Sequence, residues 1–277
     1  MKVASIGAGT IGRGWACAFL AAGHDVSLID TREAALREAT EGARRTLGVL
    51  QRAGRLPCAQ AAMARLSVTT ELASGIADAD YIQESILEEI PAKRDLFVRL
   101  DRLCTAGVTI GSSTSAIHGS AFMGGLGISP QCLVVHPTNP PYLVPLVELC
   151  ATPWTSAETL TMADNLMKEI GQVPVRIRRE LTGYALNRLQ AAVVGESLHL
   201  VGEGYISAQD LDLVMTAGLG FRWSLTGPFM TGHLNAPNGY QDYMTRYGDV
   251  YRQLIRDLRI DSIWRSEERR VGKECRS

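Results

Sequence analysis

The sequence predicts an α/β protein with a doubly wound, mainly parallel sheet in its N-terminal part and an all-helical C-terminal part. From residue 2 to about residue 180, short apolar runs alternate with helix-compatible stretches. This alternation is typical of a parallel sheet with helices on both faces. After about Leu181 the alternation stops and a helical pattern continues. We therefore expect two domains, residues 1–182 and 183–264, followed by a tail of residues 265–277.

The composition excludes several functional classes. The chain has 277 residues, of which 46% are hydrophobic and 21% charged, and a net charge of −1. The near-neutral charge argues against a nucleic-acid or membrane-surface partner. No apolar stretch approaches the roughly 20 residues that span a bilayer, and no signal-peptide pattern opens the chain. The six cysteines show no metal-ligand spacing, so we expect a cytoplasmic protein without a metal.

A glycine-rich turn follows the first predicted strand, Lys2 to Ile6. The turn reads Gly7-Ala8-Gly9-Thr10-Ile11-Gly12 and leads into a predicted helix, Arg13 to Ala22. Gly7 permits a tight turn, Gly9 lets backbone amides approach a pyrophosphate, and Gly12 lets helix and strand pack closely. Because a helix N-terminus carries positive partial charge, this motif predicts a phosphate-binding turn.

Asp30 ends the next predicted strand, Val26 to Asp30, where an acidic side chain accepts hydrogen bonds from an adenosine ribose. A carboxylate there repels a 2′-phosphate, which favours NAD over NADP. Arg32 could accommodate that phosphate, yet NAD remains the favoured cofactor. The alternative interpretation of the glycine motif is a simple strand–helix turn without a dinucleotide. We expect a Rossmann-type domain that binds NAD.

Three further places at strand ends carry polar residues. The pattern from residue 32 to 64 is helical with a break at 54–57, and apolar runs at 67–69, 81–83 and 108–110 predict more strands. Ligands bind beyond the carboxyl ends of parallel strands. The polar segments there are Glu84 to Glu88, Gly111 to Ser115, and the end of the run that contains His136.

His136 and Glu148 lie in two apolar runs joined by a proline-rich link. If the runs form antiparallel strands, equal steps from the midpoint at Tyr142 pair His136 with Glu148. A carboxylate opposite an imidazole fixes its tautomer and suits it as a general base. A turn histidine and a solvated glutamate are the alternatives, but a carboxylate within an apolar run is costly unless it has a partner.

The C-terminal part carries two residues of interest. Asn187 lies in a predicted helix from Tyr184 to Glu203. Ser207 and Asp210 have the spacing of a capping box for a helix from Ala208 to Ala217, which we expect to end at Gly218. Arg222 then follows the predicted turn at residues 218–220. An arginine can bind a carboxylate bidentately, or it can simply point to water.

Several motifs, at matching distances from one another along the chain, resemble those of the 3-hydroxyacyl-CoA dehydrogenase family. The resemblance runs from residue 1 to about residue 264. The motifs read GAGTIG, ESILEEIPAK, SSTSAI, HPTNPPYLVPLVEL and YALNRLQ. Within the family, HPTNPPYLVPLVEL, ALNRLQ, DLDLVMTAGLGFRW and GPFMTGHLNA look most like the lambda-crystallin branch, whose enzymes are L-gulonate 3-dehydrogenases. The segment 220–223 is also similar to carnitine dehydrogenases.

The resemblance implies roles for individual residues. It makes His136 the catalytic base and Glu148 its orienting carboxylate. It implies that Ser115 and Asn187 hydrogen-bond the reacting oxygen, although Ser115 could be only a helix cap and Asn187 only a polar helix residue. The residues that it places along the cofactor are Asp30, Glu88 and Lys93. It also implies that Arg222 binds a free substrate carboxylate, which an acyl-CoA thioester lacks.

The resemblance leaves the substrate open. A small hydroxy acid, with L-gulonate as the best guess, competes with a 3-hydroxyacyl-CoA thioester, with L-carnitine and with a non-catalytic dinucleotide-binding or structural role. Family members dimerise through the helical domain, which implies a homodimer. The family's helical domain continues beyond Trp264, whereas residues 265–277 are highly charged and match nothing in it. We therefore expect a truncated helical domain and a non-native tail.

Overall fold

The computed structural model describes residues 1–105 and 107–260. The chain forms two compact units, the first from Met1 to Ala185 and the second beginning at Leu186. The expected tail at 265–277, and the end of the helical domain near Trp264, lie outside the described residues.

The first unit is built on an eight-stranded sheet of order β3-β2-β1-β4-β5-β6-β7-β8. Its strands are β1 (Lys2–Ile6), β2 (Asp25–Ile29), β3 (Leu66–Thr69), β4 (Tyr81–Glu84), β5 (Thr109–Ser112), β6 (Cys132–Pro137), β7 (Leu146–Ala151) and β8 (Val173–Ile177). Every neighbouring pair is parallel except β6 and β7. The first six strands take the order of Rossmann-type sheets, with the topological switch point between β1 and β4.

Helices cover both faces of this sheet, as the strand–helix alternation predicts. They are α1 (Thr10–Ala21), α2 (Glu33–Arg52), α3 (Ala59–Met63), α4 (Leu72–Ile76), α5 (Ile90–Leu103), α6 (Ser120–Met123) and α7 (Ala157–Glu169). One buried cluster contains Trp15 and Phe19 of α1, and a second contains Phe97 of α5 with Phe122 of α6. The central strands β4, β5 and β6 are buried along their whole length, because a parallel sheet is covered on both faces.

The second unit contains only helices among the residues described. They are α8 (Tyr184–Gly202, whose first two residues belong to the first unit), α9 (Ala208–Leu213), a π-helix (Val214–Leu219), α10 (Gly220–Leu225), α11 (Pro228–Leu234) and α12 (Tyr240–Asp257). The predicted fold class, a doubly wound, mainly parallel sheet followed by helices, is confirmed. No helix in this part or elsewhere in the described chain combines the length and apolarity needed to cross a bilayer.

Two local predictions in the second unit had different outcomes. The predicted cap of α9 is confirmed, since the Ser207 hydroxyl accepts the Asp210 N–H at 3.0 Å. The predicted helix end at Gly218 is wrong, because the chain continues through the π-helix directly into α10. Gly220 has helical angles, φ −62° and ψ −43°. A helix tolerates glycine at a cost of about 1 kcal/mol, and here no breaking residue accompanies it.

Candidate active site

His136 and Glu148 face each other across the β6–β7 pair. The antiparallel register joins His136 directly to Glu148, and His136 Nδ1 lies 2.8 Å from Glu148 Oε2. The two residues are 4% and 1% exposed. Burial of either polar group alone would cost free energy, and the hydrogen bond between them offsets that cost. The pairing predicted from symmetry about the proline-rich link is confirmed as geometry. Glu148 Oε1 also accepts the N–H of Ala185 at 2.9 Å.

Ser115 lies at the other nitrogen of the same imidazole. Its Oγ is 3.0 Å from His136 Nε2. With Glu148 accepting from Nδ1–H, Nε2 carries the lone pair, and the Ser115 hydroxyl donates to it. The loop after β5 and the β6–β7 hairpin thus bring together three of the residues singled out in the sequence. This arrangement can accept a proton at Nε2 and hold a hydroxyl group beside it.

Glu88 holds the turn that carries Ser115. Its carboxylate accepts hydrogen bonds from the Thr114 hydroxyl at 2.7 Å and from the N–H groups of Ser115 and Ala116 at 2.7 and 2.9 Å. Burial alone would raise the pKa of Glu88, but these hydrogen bonds and the nearby Lys93 ammonium hold that pKa below its ordinary value. Glu88 is therefore ionised at neutral pH and anchors residues 114–116.

Lys93 is buried within this network and bound to two carboxylates. Its Nζ lies 2.8 Å from Glu84 Oε1 and 3.4 Å from Glu88 Oε2, and its side chain is 1% exposed. In the sequence, Glu84 stands out only as the first residue of the polar segment Glu84 to Glu88. Its buried carboxylate also accepts the Ile86 N–H at 2.7 Å and the Ser112 hydroxyl. The Lys93 ammonium thus faces protein carboxylates, and its expected contact with the cofactor stays a prediction.

The glycine-rich turn leaves room for a phosphate group. Gly7 has φ +99°, and a Cβ there would lie 2.5 Å from the Ser85 carbonyl oxygen. A Cβ on Gly12 would collide with the Gly7 carbonyl oxygen. Gly9 is the N-cap of α1, and no side chain in the described chain caps this helix start. The amides at Thr10 and Ile11 therefore begin the helix at an open turn, as pyrophosphate binding requires.

A cavity of about 550 Å³ extends from this turn to the end of β2. Its lining includes Gly7, Gly9, Asp30, Leu87 and Arg99. Asp30 Oδ2 accepts the Ala8 N–H at 2.9 Å, which ties the carboxylate to the turn. Arg32 lies beside it, with Nε 3.9 Å from Asp30 Oδ1. The glycine cradle, the open helix start and the acid at the cavity together fit a dinucleotide that carries an unphosphorylated ribose.

Asn187 and Arg222 belong to the second unit. Asn187 lies in the first turn of α8 and is half-buried, and Arg222 lies on α10 and is exposed. Arg222 lies three residues beyond the end of the π-helix, a distortion that is frequent at functional sites. Within the described residues, no group of three or more His, Cys, Asp or Glu side chains could hold a metal ion.

Comparisons with known proteins identify the family. The model of the 3-hydroxyacyl-CoA dehydrogenase NAD binding domain matches residues 2–181, and that of the C-terminal domain matches residues 183–262. The human lambda-crystallin homolog is 39% identical over 256 residues, which cover 91% of this chain and 80% of that protein. The L-carnitine dehydrogenase of Streptomyces coelicolor is 40% identical over 248 residues, covering 88% of this chain and 76% of that enzyme.

Solved structures agree with this assignment. An NAD⁺-dependent 5-formyl-3-hydroxy-2-methylpyridine 4-carboxylic acid 5-dehydrogenase has a TM-score of 0.82 and 25% identity, over 93% of this chain and 81% of that one. The NAD predicted from the turn and Asp30 is confirmed as the cofactor. The chain is a member of the 3-hydroxyacyl-CoA dehydrogenase family and an NAD-dependent oxidoreductase.

Proposed function

We propose that this enzyme oxidises the 3-hydroxyl group of a small hydroxy acid, with L-gulonate as the best single candidate. The observation that carries the proposal is the buried His136–Glu148 pair, whose second imidazole nitrogen, Nε2, lies 3.0 Å from Ser115 Oγ. We also propose that residues 1–182 bind NAD and that residues 183–264 bind substrate and dimerise.

The chemistry of the proposal follows from these groups. His136 Nε2 removes the proton of the substrate hydroxyl, and Glu148 stabilises the imidazolium that forms. Once the substrate hydroxyl takes the place of Ser115 at Nε2, Ser115 and Asn187 donate hydrogen bonds to the substrate oxygen and stabilise the negative charge that develops on it. Bound NAD supplies the hydride acceptor. Glu88 and Lys93 lie along the bound cofactor, and Glu88 in addition holds the turn on which Ser115 is placed.

The choice of a free acid rests on Arg222 and on two relatives. The L-carnitine dehydrogenase and the pyridine carboxylic acid dehydrogenase are both named for substrates with a free carboxylate. A guanidinium binds a carboxylate through two parallel hydrogen bonds. The second candidate is the same chemistry on a 3-hydroxyacyl-CoA thioester, which the description of the family favours.

A spectrophotometric NADH assay tests the proposal directly. L-gulonate and L-carnitine are offered with NAD, and acetoacetyl-CoA is offered with NADH. We expect the highest kcat/KM with L-gulonate. Turnover of acetoacetyl-CoA alone would assign the thioester function instead. NAD binding without turnover of any of the three would support a non-catalytic role.

Arg222→Lys tests the carboxylate contact. The lysine keeps the charge but loses the planar fork, so we expect KM for L-gulonate to rise about tenfold, the effect of one lost charge-assisted hydrogen bond. The kcat value should change little. Arg256→Lys, on the exposed face of α12, is the matched control. An unchanged KM in Arg222→Lys would contradict the proposed role.

Asp30→Asn tests the proposed cofactor contact. Removal of the negative charge weakens the acceptor for the ribose hydroxyls and the repulsion of a 2′-phosphate. We expect KM for NAD to rise about tenfold and KM for NADP to fall. Asp25→Asn is the control. Asp25 is the first residue of β2, at the end of the strand opposite to Asp30, and it forms an ion pair with Arg65. An unaltered ratio of the two KM values would exclude Asp30 as the discriminating residue.

A homodimer through the helical unit and a cytoplasmic location complete the proposal. Large apolar side chains of this unit are more than 60% exposed in the single chain, namely Phe221, Leu225, Phe229, Leu234 and Ile255 among others. Exposed apolar patches mark interaction surfaces. Light scattering should give twice the mass of one chain, and the single-chain mass would contradict the dimer.

The five described cysteines are free thiols, which supports a reducing compartment.

A further inference from the structure

Tyr184 has an unusual backbone conformation. Among the described residues it is the only one other than glycine with a positive φ, 46°. A bulky side chain is strained in this left-handed region, and such strain persists only where the surroundings hold it. The ring of Tyr184 is completely buried. Its N–H donates to the Leu181 carbonyl oxygen at 3.2 Å, which closes a tight turn at the start of α8.

The side chain of Tyr184 contacts two parts of the candidate site. Its ring packs against the His136 imidazole, with the centroids 5.4 Å apart and the planes 37° from parallel. Its hydroxyl donates to the Ile117 carbonyl oxygen at 2.8 Å. Ile117 directly follows the residues that Glu88 anchors, so this bond fixes the other end of the turn that carries Ser115. Burial raises the pKa of Tyr184, which keeps its hydroxyl a donor.

The strained backbone also directs the next residue. Ala185 donates its N–H to Glu148 Oε1 at 2.9 Å, the oxygen that His136 does not use. The left-handed turn at Tyr184 thus places the ring on His136 and the following amide on Glu148. Contacts from Tyr184 and Ala185 thus reach His136, Glu148 and the turn that carries Ser115.

We propose that Tyr184 is a positioning residue that fixes Ser115, His136 and Glu148 relative to one another. This inference rests on the proposed function, in which those three residues act on the substrate hydroxyl. It explains why an aromatic residue stands where the backbone favours glycine. A glycine would relieve the strain, but it would remove both the ring beneath His136 and the donor to Ile117.

Tyr184→Phe separates positioning from packing, because it removes only the hydroxyl and keeps the ring. We expect kcat to fall about 5- to 10-fold, the factor that corresponds to one typical neutral hydrogen bond. KM for NAD should stay within about twofold, since the glycine-rich turn is untouched.

Tyr81→Phe is the matched control. Tyr81 is also completely buried, and its hydroxyl donates to a single side chain, Gln83. Both variants lose one buried hydrogen bond, so we expect similar decreases in Tm but a lower kcat only in Tyr184→Phe. An equal loss of kcat in both variants, or an unchanged kcat in Tyr184→Phe, would show that the Tyr184 hydroxyl serves stability alone.

A second readout needs no substrate. In ¹⁵N NMR spectra of the imidazoles, with the His136 signals assigned by their loss in His136→Gln, we expect Tyr184→Phe to shift the Nε2 resonance because the Ser115 turn loosens. Ser115→Ala sets the size of a complete loss of that contact, and Tyr81→Phe should leave the resonance in place. An unmoved resonance in Tyr184→Phe would overturn the positioning role. An inactive wild-type protein with the expected shifts would count against the proposed function only.

Discussion

His136→Gln is expected to lower kcat by at least about 10²-fold, the loss typical of a missing general base. Glutamine fits the site and can hydrogen-bond Glu148, but it cannot accept the hydroxyl proton at neutral pH. The cavity that contains Asp30 is lined by other residues, so the Kd of NAD should stay within about twofold. Steady-state NADH kinetics and a fluorescence titration of NADH measure the two quantities separately.

His199→Gln serves as the control for this variant. His199 lies on α8 next to the Tyr205 ring, outside the group formed by Ser115, His136 and Glu148, and we expect wild-type kcat. A His136→Gln variant with substantial activity would exclude His136 as the base. A variant that also loses NAD binding would point to a collapsed N-terminal unit, which circular dichroism would reveal.

Lys93→Met is expected to lower the free energy of unfolding by about 3–5 kcal/mol, the range for breaking a buried ion pair by removing one partner. Methionine fills similar volume, so little of the loss comes from packing. The loss arises because the carboxylate of Glu84, which is completely buried, no longer has the ammonium that lies 2.8 Å from it. Urea unfolding followed by circular dichroism measures the change as a lower midpoint.

Two further variants identify the cause of that loss. Lys168→Met removes an exposed lysine whose partner, Asp164, keeps a second ion pair with Arg176, so we expect a loss of only about 0–1 kcal/mol, as for a surface pair. In the double variant Glu84→Gln/Lys93→Met, the unpaired charge is gone, so much of the stability should return. Equal losses in Lys93→Met and Lys168→Met would mean that the buried pair contributes no more than a surface contact.

The sequence predicted best where local pattern and burial agree. The β6–β7 hairpin is the clearest example, because two apolar runs flank a short proline-rich link and equal steps from the midpoint of the link give the register. That register pairs His136 with Glu148. The order Gly7, Gly9, Gly12 and Asp30 was equally informative, since each residue meets a geometric requirement of its own in the phosphate turn or at the strand end.

Features that depend on contacts between distant segments left no signal in the sequence. The role of Lys93 beside the cofactor stays a prediction, but its ion pair with Glu84, on another element, could not be predicted because no periodicity reveals such a partner. The helix through Gly218 continues although glycine commonly ends helices. Strand β8 was not predicted, because its residues are half exposed and lack a sustained apolar run. The left-handed turn at Tyr184 had no signal, since the residue there is not glycine.

The antiparallel direction of β7 has a further consequence for how the candidate site is encoded. In a wholly parallel sheet, neighbouring strands reach the ligand edge only after a long crossover, so groups that meet there come from distant segments. Reversal of β7 lets the beginning of one strand meet the end of another, and base and orienting acid arise within a single hairpin. One residue added to or removed from its loop would turn Glu148 to the opposite face of the sheet. The loop must therefore keep its length for Glu148 to reach His136. The proposed activity depends on the number of loop residues as much as on the two side chains themselves.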